Sequence, residues 1–328
     1  MTRRSVVFAG PRDVCVEETP LPQPGPGQLL VETALSAISA GTEMLVYRDQ
    51  FPPGMSVDLI IDSLGDAFTY PLHYGYAAVG RVAGQGAGVP EDWSGRLVFA
   101  FQPHTSHFLA APADLIPVPQ GISPEAAAFL PNVETAVNLL QDGAPLLGER
   151  VAVFGQGVVG LLTTSLLARF PLDRLVTVDS CANRRDASLE AGAHAALAPD
   201  ELPGGDADLV YELSGNPAAL NQAIAATGYG GRIVVGSWYG QRQASLDLGG
   251  RFHRDRIQII SSQVSTIAPH LRGRWDKPRR LAAAWRMVEQ IEPQRWITHR
   301  FPITQAPAAY RLLDEQPSET IQVILTYG

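Results

Sequence analysis

Apolar positions follow two regimes along this chain. In the first third they form short runs cut by glycine and proline, the spacing of strands and tight turns. Residues 4–8 and 14–18 read as strands joined at Gly10-Pro11. TPLPQPGPGQ (19–28) carries four prolines, which predicts a stiff extended connector, and LLVETALSAIS (29–39) then reads as a buried strand. Residues 43–72 follow neither period and are rich in proline, glycine and aromatics, which predicts a long loop with one short helix. YAAVGRVAG (76–84), RLVFAF (96–101) and HFLAAP (107–112) add short strands. The expectation is a mostly-β part shaped as a partly closed barrel.

The period changes at Ser123. SPEAAAF offers serine as an N-cap and proline at the first helical position. Helices are predicted at 133–142, 158–170, 183–191 and 217–227, alternating with apolar strands at 150–154, 174–178, 208–213 and 231–236. RIQIISSQV (256–264) adds a strand and PRRLAAAWRMVEQ (278–290) a helix. Strands separated by helices imply βαβ units and a parallel sheet, so the fold class is α/β. The tail reads as a helix over 305–315 and a strand over 321–327.

Composition narrows the function classes. A length of 328 residues suits two domains. With 45% apolar residues the chain can bury a sizeable core, and 25 basic against 33 acidic residues leave a net charge of −8, the wrong sign for a general nucleic-acid binder. Cys15 and Cys181 are the only cysteines, too few for a disulfide framework or a four-cysteine zinc lobe, as in a reducing compartment. Residues 151–168 form an uncharged stretch at the lower limit of a membrane span, but glycines at 155, 157 and 160 suit a strand, a turn and a buried helix better. The first residues lack the apolar core of a signal peptide. The expectation is a soluble cytoplasmic protein that acts on a small molecule, without nucleic-acid or membrane partners.

Gly155-Gln156-Gly157-Val158-Val159-Gly160 is a G-x-G-x-x-G that follows an apolar strand and opens an apolar helix. The first glycine permits the tight turn, the second lets backbone approach a pyrophosphate, and the third lets helix pack on strand. Amides at the helix start then face the phosphates. Nineteen residues after Gly160 the next strand ends in Asp179, where a carboxylate accepts the adenosine ribose hydroxyls and repels a 2′-phosphate. That favours NAD over NADP. Arg184 and Arg185 keep the second cofactor open, and Arg184 equally suits a place against the adenosine or a pair with Asp179. Ser214-Gly215-Asn216-Pro217 and Gly236-Ser237-Trp238-Tyr239-Gly240 follow later strands of the series, where ligands of parallel sheets bind. Ser214, Gly215, Gly236, Ser237 and Trp238 are candidates for the nicotinamide side; simple strand–helix turns are the alternative.

PGPGQLLVETALSAISAGTE (24–43), YGYAAVGRV (74–82), GQGVVG (155–160) and FPITQAPAAYRLLDE (301–315) together resemble the medium-chain dehydrogenase/reductase superfamily, in order and nearly end to end. SAISAGTE with YGYAAVGRV is most similar to the branch containing bacteriochlorophyllide dehydrogenases. The resemblance implies a GroES-like mostly-β catalytic domain (1–122), a Rossmann doubly wound parallel-sheet domain (123–291) and a C-terminal segment (292–328) returning to the first. It implies oxidation of a hydroxyethyl group to acetyl with NAD, and a homodimer joined through the strand at 256–264.

Zinc-dependent members of the superfamily carry a first ligand in C-G-T-D, where this chain has Ala40-Gly41-Thr42-Glu43. Their second ligand is the histidine of G-H-E, here Gly75-Tyr76-Ala77, and their third falls near Pro131. None of these replacements is a good zinc ligand, so no metal is expected. His73, Glu43 and one of His104 or His107 are the alternative set for a relocated site; on a strand, His104 and His107 would point to opposite faces.

Without zinc, hydroxyl or imidazole donors replace the Lewis acid, or the reaction is reduction of an activated alkene or quinone with NADPH. A catalytically idle dinucleotide-binding sensor is a third class. Thr42 matches the superfamily's Ser/Thr that bonds the substrate oxygen, while the relay histidine three residues on is replaced by Leu45. Glu43 is either a base or an internal ion-pair partner. Tyr76 is either a phenol donor at the reacting centre or a filler. Thr135 matches a position near the nicotinamide. Tyr47, Phe51, Tyr74, Phe101 and Trp238 would line a planar or bulky substrate if they converge; scattered core positions are the alternative. LRGRWDKPRR (271–280) either attracts an anionic substrate or is a solvated helix entrance.

Overall fold

A computed structural model describes residues 2–52, 69–202 and 204–328. The chain divides into two compact units: residues 1–131 with 292–328, and residues 132–291.

The first unit begins with a hairpin, β1 (Thr2–Gly10) and β2 (Asp13–Pro20), turned at Arg12 with φ 57°. β3 (Leu29–Ile38), α1 (Glu43–Tyr47), β4 (Ala78–Gln85), β5 (Leu97–Ala100), β6 (His107–Ala110), β7 (Ile116–Pro117) and α2 (Pro124–Ala127) follow. Of the irregular stretch expected over 43–72, residues 53–68 lie outside the described residues; the short helix is α1. Ser123 caps α2 as the sequence implies: its hydroxyl accepts from the Ala126 N–H at 3.1 Å, and Pro124 takes the first helical position.

The second unit runs α3 (Leu130–Gly143), β8 (Arg150–Phe154), α4 (Val158–Leu167), β9 (Arg174–Val178), α5 (Ala182–Glu190), β10 (Ala195–Leu197), β11 (Ala207–Glu212), α6 (Ala219–Ala226), β12 (Thr227–Val235), β13 (Gln258–Ser261) and α7 (Lys277–Ile291). The tail returns to the first unit as β14 (Ile297–Pro302), α8 (Ala306–Glu315) and β15 (Gln322–Thr326).

In the first unit a seven-stranded sheet runs β14-β15-β3-β4-β5-β7, with β6 also on β3. β3 is the hub. It pairs β15 along Leu35–Ile38, β6 along Leu29–Glu32, and β4 over most of its length. This explains why its residues are buried almost without alternation. Phe8, Ile38, Met44, Tyr74, Tyr310 and Leu325 belong to one apolar cluster that joins the start, middle and tail of the chain.

The second unit is a six-stranded parallel sheet, β10-β9-β8-β11-β12-β13. Counted from β8, that order is 3-2-1-4-5-6, the doubly wound arrangement whose direction reverses between its first and fourth strands, here β8 and β11. α4 is buried on every side except Val159. Its three hydroxyl residues are satisfied internally: Thr163 donates to the Val159 carbonyl and Ser165 to the Leu161 carbonyl, each at 2.8 Å, and Thr164 to Gln156 Oε1 at 3.0 Å. The 151–168 stretch is thus strand, turn and helix, and among the described residues no helix is long and apolar enough to cross a membrane.

β10 and β14 were not expected. β10 is three half-buried residues, Ala-Ala-Leu, an apolar run too short to read as a strand. β14 alternates half-buried and exposed positions in ITHRFP, but histidine and arginine hide the period. β12 starts at Thr227 rather than 231, because glycines at 228, 230 and 231 mask its first half.

Candidate functional site

In the second unit, the turn after β8 contains the three glycines. Gly155 has φ +86°, and a Cβ there would stand 2.4 Å from Ser214 Cα. Only glycine allows that conformation together with that contact. A Cβ on Gly160 would lie 1.9 Å from the Gly155 carbonyl oxygen, so α4 starts in backbone contact with the turn. At Gly157, the N-cap of α4, a Cβ would meet no heavy atom within 4 Å. The middle glycine therefore leaves the first amides of α4 approachable, and those amides have no intrahelical acceptor. This turn fits an anionic diphosphate.

Asp179, at the end of β9, is 8% exposed and anchored to the same turn. Its Oδ2 accepts the Gln156 N–H at 2.6 Å and its Oδ1 the Cys181 N–H at 2.8 Å. Lone pairs remain on both oxygens for further donors. The Gln156 side chain turns inward, from Thr164 to the Val153 carbonyl, so this residue offers the site its backbone alone. Val158 is buried and Val159 partly exposed. Arg184 is half-buried in the first turn of α5, and Arg185 donates to the carbonyls of Asp179 and Ser180.

The turns after β11 and β12 are tied together by Glu212, a fully buried carboxylate the sequence reading did not single out. Glu212 Oε1 accepts the Ser214 N–H at 2.9 Å and the Ser214 hydroxyl, and Oε2 accepts the Tyr239 hydroxyl. Burial first, and then this carboxylate, push the Tyr239 phenol well above its ordinary value, so it remains a donor. The Gly215 N–H donates to Ser237 Oγ at 2.8 Å. The structure thus brings Gly155, Ser214, Gly215 and Ser237 together. Gly236 differs: a Cβ there would lie 2.6 Å from Leu139 and Leu213, so the core demands this glycine. Trp238 is 37% exposed, and Thr135 lies half-buried on α3.

Of the two readings of 271–280, the solvated helix entrance matches Arg272, Arg274 and Arg279, which are exposed around the start of α7, but not Arg280. Arg280 is fully buried and donates to Glu134 Oε1 at 2.9 Å, to Asn138 Oδ1 at 2.6 Å, and to the carbonyls of Thr266 and Val264. Lys277 pairs with the same Glu134 oxygen at 2.9 Å, and Arg279 lies over the Trp275 ring. The basic run is therefore divided between an internal clamp and the surface.

In the first unit, Thr42 caps α1 without a side-chain capping bond and is partly exposed. Glu43 is drawn inside. It is fully buried, and three donors hold it: Ser39 N–H at 2.8 Å, His104 Nε2 at 2.9 Å and the Tyr310 hydroxyl at 2.5 Å. His104 Nδ1 meets Ser36 Oγ at 2.6 Å, and Ser36 Oγ meets the Tyr327 hydroxyl at 2.7 Å. The hydrogens close as a chain when the imidazole carries its proton on Nε2: Tyr327 to Ser36, Ser36 to Nδ1, Nε2 to Glu43. Burial first and Glu43 next raise the Tyr310 phenol; burial is also the main cause of the rise at Tyr327, with Glu43 adding to it. Of the two roles open to Glu43, the geometry matches the internal partner, because a buried carboxylate engaged by three donors does not face a substrate. The Tyr76 hydroxyl, partly buried, donates to Ser39 Oγ at 2.5 Å.

The altered ligand positions do not fit zinc: alanine, tyrosine and proline offer it no donor set. His73 is 46% exposed and turned toward Glu17 and the Val6 carbonyl, whereas His104 is buried against Glu43. Among the described residues no three His, Cys, Asp or Glu side chains converge. Tyr47, Phe51 and Tyr74 belong to the apolar core, and Phe101 packs edge-on against Phe99. Tyr47, Phe51 and Tyr74 are thus core positions, and Phe101 is half-buried.

A family model described as zinc-binding dehydrogenase matches residues 158–282. The chain is 26% identical over 334 residues to a 2-desacetyl-2-hydroxyethyl bacteriochlorophyllide A dehydrogenase of Rhodobacter capsulatus, covering 100% of this chain and 99% of the relative. Its fold is that of an alcohol dehydrogenase of Escherichia coli solved with NADH (TM-score 0.79, 17% identity, 99% of each chain). It is also that of a zinc-binding dehydrogenase of Sinorhizobium meliloti bound to NADP (TM-score 0.78, 19% identity, 99% of each chain).

Proposed function

We propose, from the chain's membership of the medium-chain dehydrogenase/reductase superfamily, that it is a zinc-independent, NAD-dependent oxidoreductase for an alcohol/ketone pair. The observation that carries the reading is the glycine turn at the reversal point of the parallel sheet, anchored to Asp179 through the Gln156 amide. Gly157 and the first amides of α4 would hold the diphosphate, Asp179 the adenosine ribose, and the turns fixed by Glu212 the nicotinamide side. When bound, the cofactor supplies the redox partner: the alcohol carbon gives up a hydride and the hydroxyl a proton, leaving ketone, NADH and H⁺.

Two features of this chain favour NAD. The Asp179 carboxylate is held rigidly by two backbone donors, so it stays where a 2′-phosphate would have to go. The Arg185 guanidinium is engaged by the main-chain carbonyls of Asp179 and Ser180. In the first unit, Thr42 supplies a hydroxyl in place of metal, while the Tyr76 hydroxyl is given to Ser39 Oγ. The substrate is a secondary alcohol on a planar or bulky framework, which the exposed Trp238 suits. Edge strand β13, with Ile259 37% exposed, is the proposed homodimer seam.

Calorimetry with NAD(H) and NADP(H), together with metal analysis of purified protein, tests the reading. NADH is expected to bind more tightly than NADPH, with no stoichiometric zinc. Preference for NADPH points to the alkene or quinone reductase instead. Uptake of neither cofactor refutes the dinucleotide site.

A further inference from the structure

Ser39 directly precedes Ala40, and Tyr76 stands where zinc-dependent relatives have a histidine; these are two of the three altered ligand positions. The Tyr76 hydroxyl donates to Ser39 Oγ. A hydroxyl that accepts in this way still has its own hydrogen to give. Among the described residues nothing accepts the Ser39 hydrogen. The residue is only 9% exposed, and a hydroxyl donor so placed calls for an acceptor. Its backbone is fixed, since the Ser39 N–H is bound to Glu43, which His104 and Tyr310 hold in turn. The result is a rigidly mounted hydroxyl, polarised by a phenol behind it, with one donor hydrogen left over.

We propose that Ser39 and Tyr76 form a two-hydroxyl donor for the substrate oxygen, Ser39 touching that oxygen and Tyr76 strengthening the bond from behind. The assignment rests on the alcohol/ketone reading above and names a residue that reading does not contain. An O–H donor in a chain is strengthened by the bond it accepts, so the serine gives a better hydrogen bond than a lone hydroxyl would. As a ketone oxygen gains negative charge during reduction, or an alcohol oxygen loses its proton during oxidation, such a donor stabilises the developing charge. Ser39 is therefore a catalytic residue in the absence of a metal, Tyr76 acts through it as a positioning residue, and Glu43 fixes the place from which Ser39 acts.

The test uses full-length protein loaded with NAD⁺ and acetophenone labelled with ¹³C at the carbonyl, read by infrared difference spectroscopy. The carbonyl band of the bound probe is expected below its frequency in buffer. Ser39→Ala should remove that shift, Tyr76→Phe should reduce it, and Ser39→Thr should keep most of it. Oxidation of 1-phenylethanol should fall about 100-fold or more in Ser39→Ala, the loss seen when one oxyanion donor is removed. The double variant should fall little further than Ser39→Ala, because the two hydroxyls act as one chain. NADH affinity should stay within about twofold in all variants, as these residues lie outside the dinucleotide turn. A wild-type band at its buffer position, or a shift that survives Ser39→Ala, overturns the proposal. Should Ser39→Ala not fold, an unchanged band in Tyr76→Phe overturns it instead. Loss of NADH binding by the wild-type protein overturns the cofactor reading, and calorimetry reports that separately.

Discussion

Adding a single methyl group separates the two jobs of the glycine turn. At Gly160 a Cβ would stand 1.9 Å from the Gly155 carbonyl oxygen. Carbon and oxygen rarely approach closer than about 3.3 Å, so the helix start and the turn must part by about 1.4 Å. Forced overpacking of this kind costs about 1–3 kcal/mol, or about 2–12 °C in Tm for a unit of this size. At Gly157 the same methyl meets nothing, and φ −68° is ordinary for alanine. Alanine is a poorer N-cap than glycine but loses less chain entropy on folding, so Gly157→Ala should sit within about 0.5 kcal/mol of wild type. Its methyl stands where a diphosphate must approach. Losing one charge-assisted bond there costs about 1.5–3 kcal/mol, about 10- to 150-fold in Kd. Scanning calorimetry and NADH titration of both variants check this. Gly157→Ala is expected to lose affinity at unchanged Tm, and Gly160→Ala to lose both. A Gly157→Ala protein that binds NADH like wild type refutes the argument.

Three further outcomes follow from buried polar groups. Among the described residues the buried Tyr211 hydroxyl has no hydrogen-bond partner, so Tyr211→Phe should leave thermal stability unchanged or raise it by about 1 kcal/mol. Arg280→Ala strips one of two cations from buried Glu134 and the donors from Asn138 and two carbonyls, and should cost about 3–5 kcal/mol in urea unfolding. Burial, partly offset by bonds from Ser262 and Asn138, raises Asp142 above its ordinary value. The folded state then holds that proton more tightly than the unfolded chain. Its stabilising contribution is full below the unfolded carboxylate value, about 3.9, and is lost as pH rises through the folded value. Asp142→Asn, whose side-chain oxygen still accepts from both donors, should flatten this part of the pH–stability curve and be more stable than wild type at pH 7.

The sequence made the parallel-sheet unit readable because its strands are buried on both faces and therefore apolar without interruption. β8 and β9 were placed to the residue, and the glycine turn could be assigned because each glycine answers a separate steric demand. β14 and β10 were hidden, one by a histidine on its half-buried face and the other by its brevity. The interior of the first unit was less legible. Glu43 was visible as a candidate, but its partners His104, Tyr310, Ser36 and Tyr327 come from segments far apart in the chain, and no local period reports such a meeting. Glu212 had a weak signal, a carboxylate closing an apolar strand just before Ser-Gly. Arg280 could not be told from its neighbours on composition, because only the packing of α7 buries one arginine of the run and leaves the next outside.

The place of β15 has a consequence for how the molecule is made. It lies between β14 and β3, yet the ribosome produces it almost three hundred residues after β3. The contiguous stretch 132–291 is synthesised whole before then and can fold while translation continues. The half of the molecule that is translated first is thus the last to close, and until β15 arrives the Leu35–Ile38 edge of β3 stays open to mispairing.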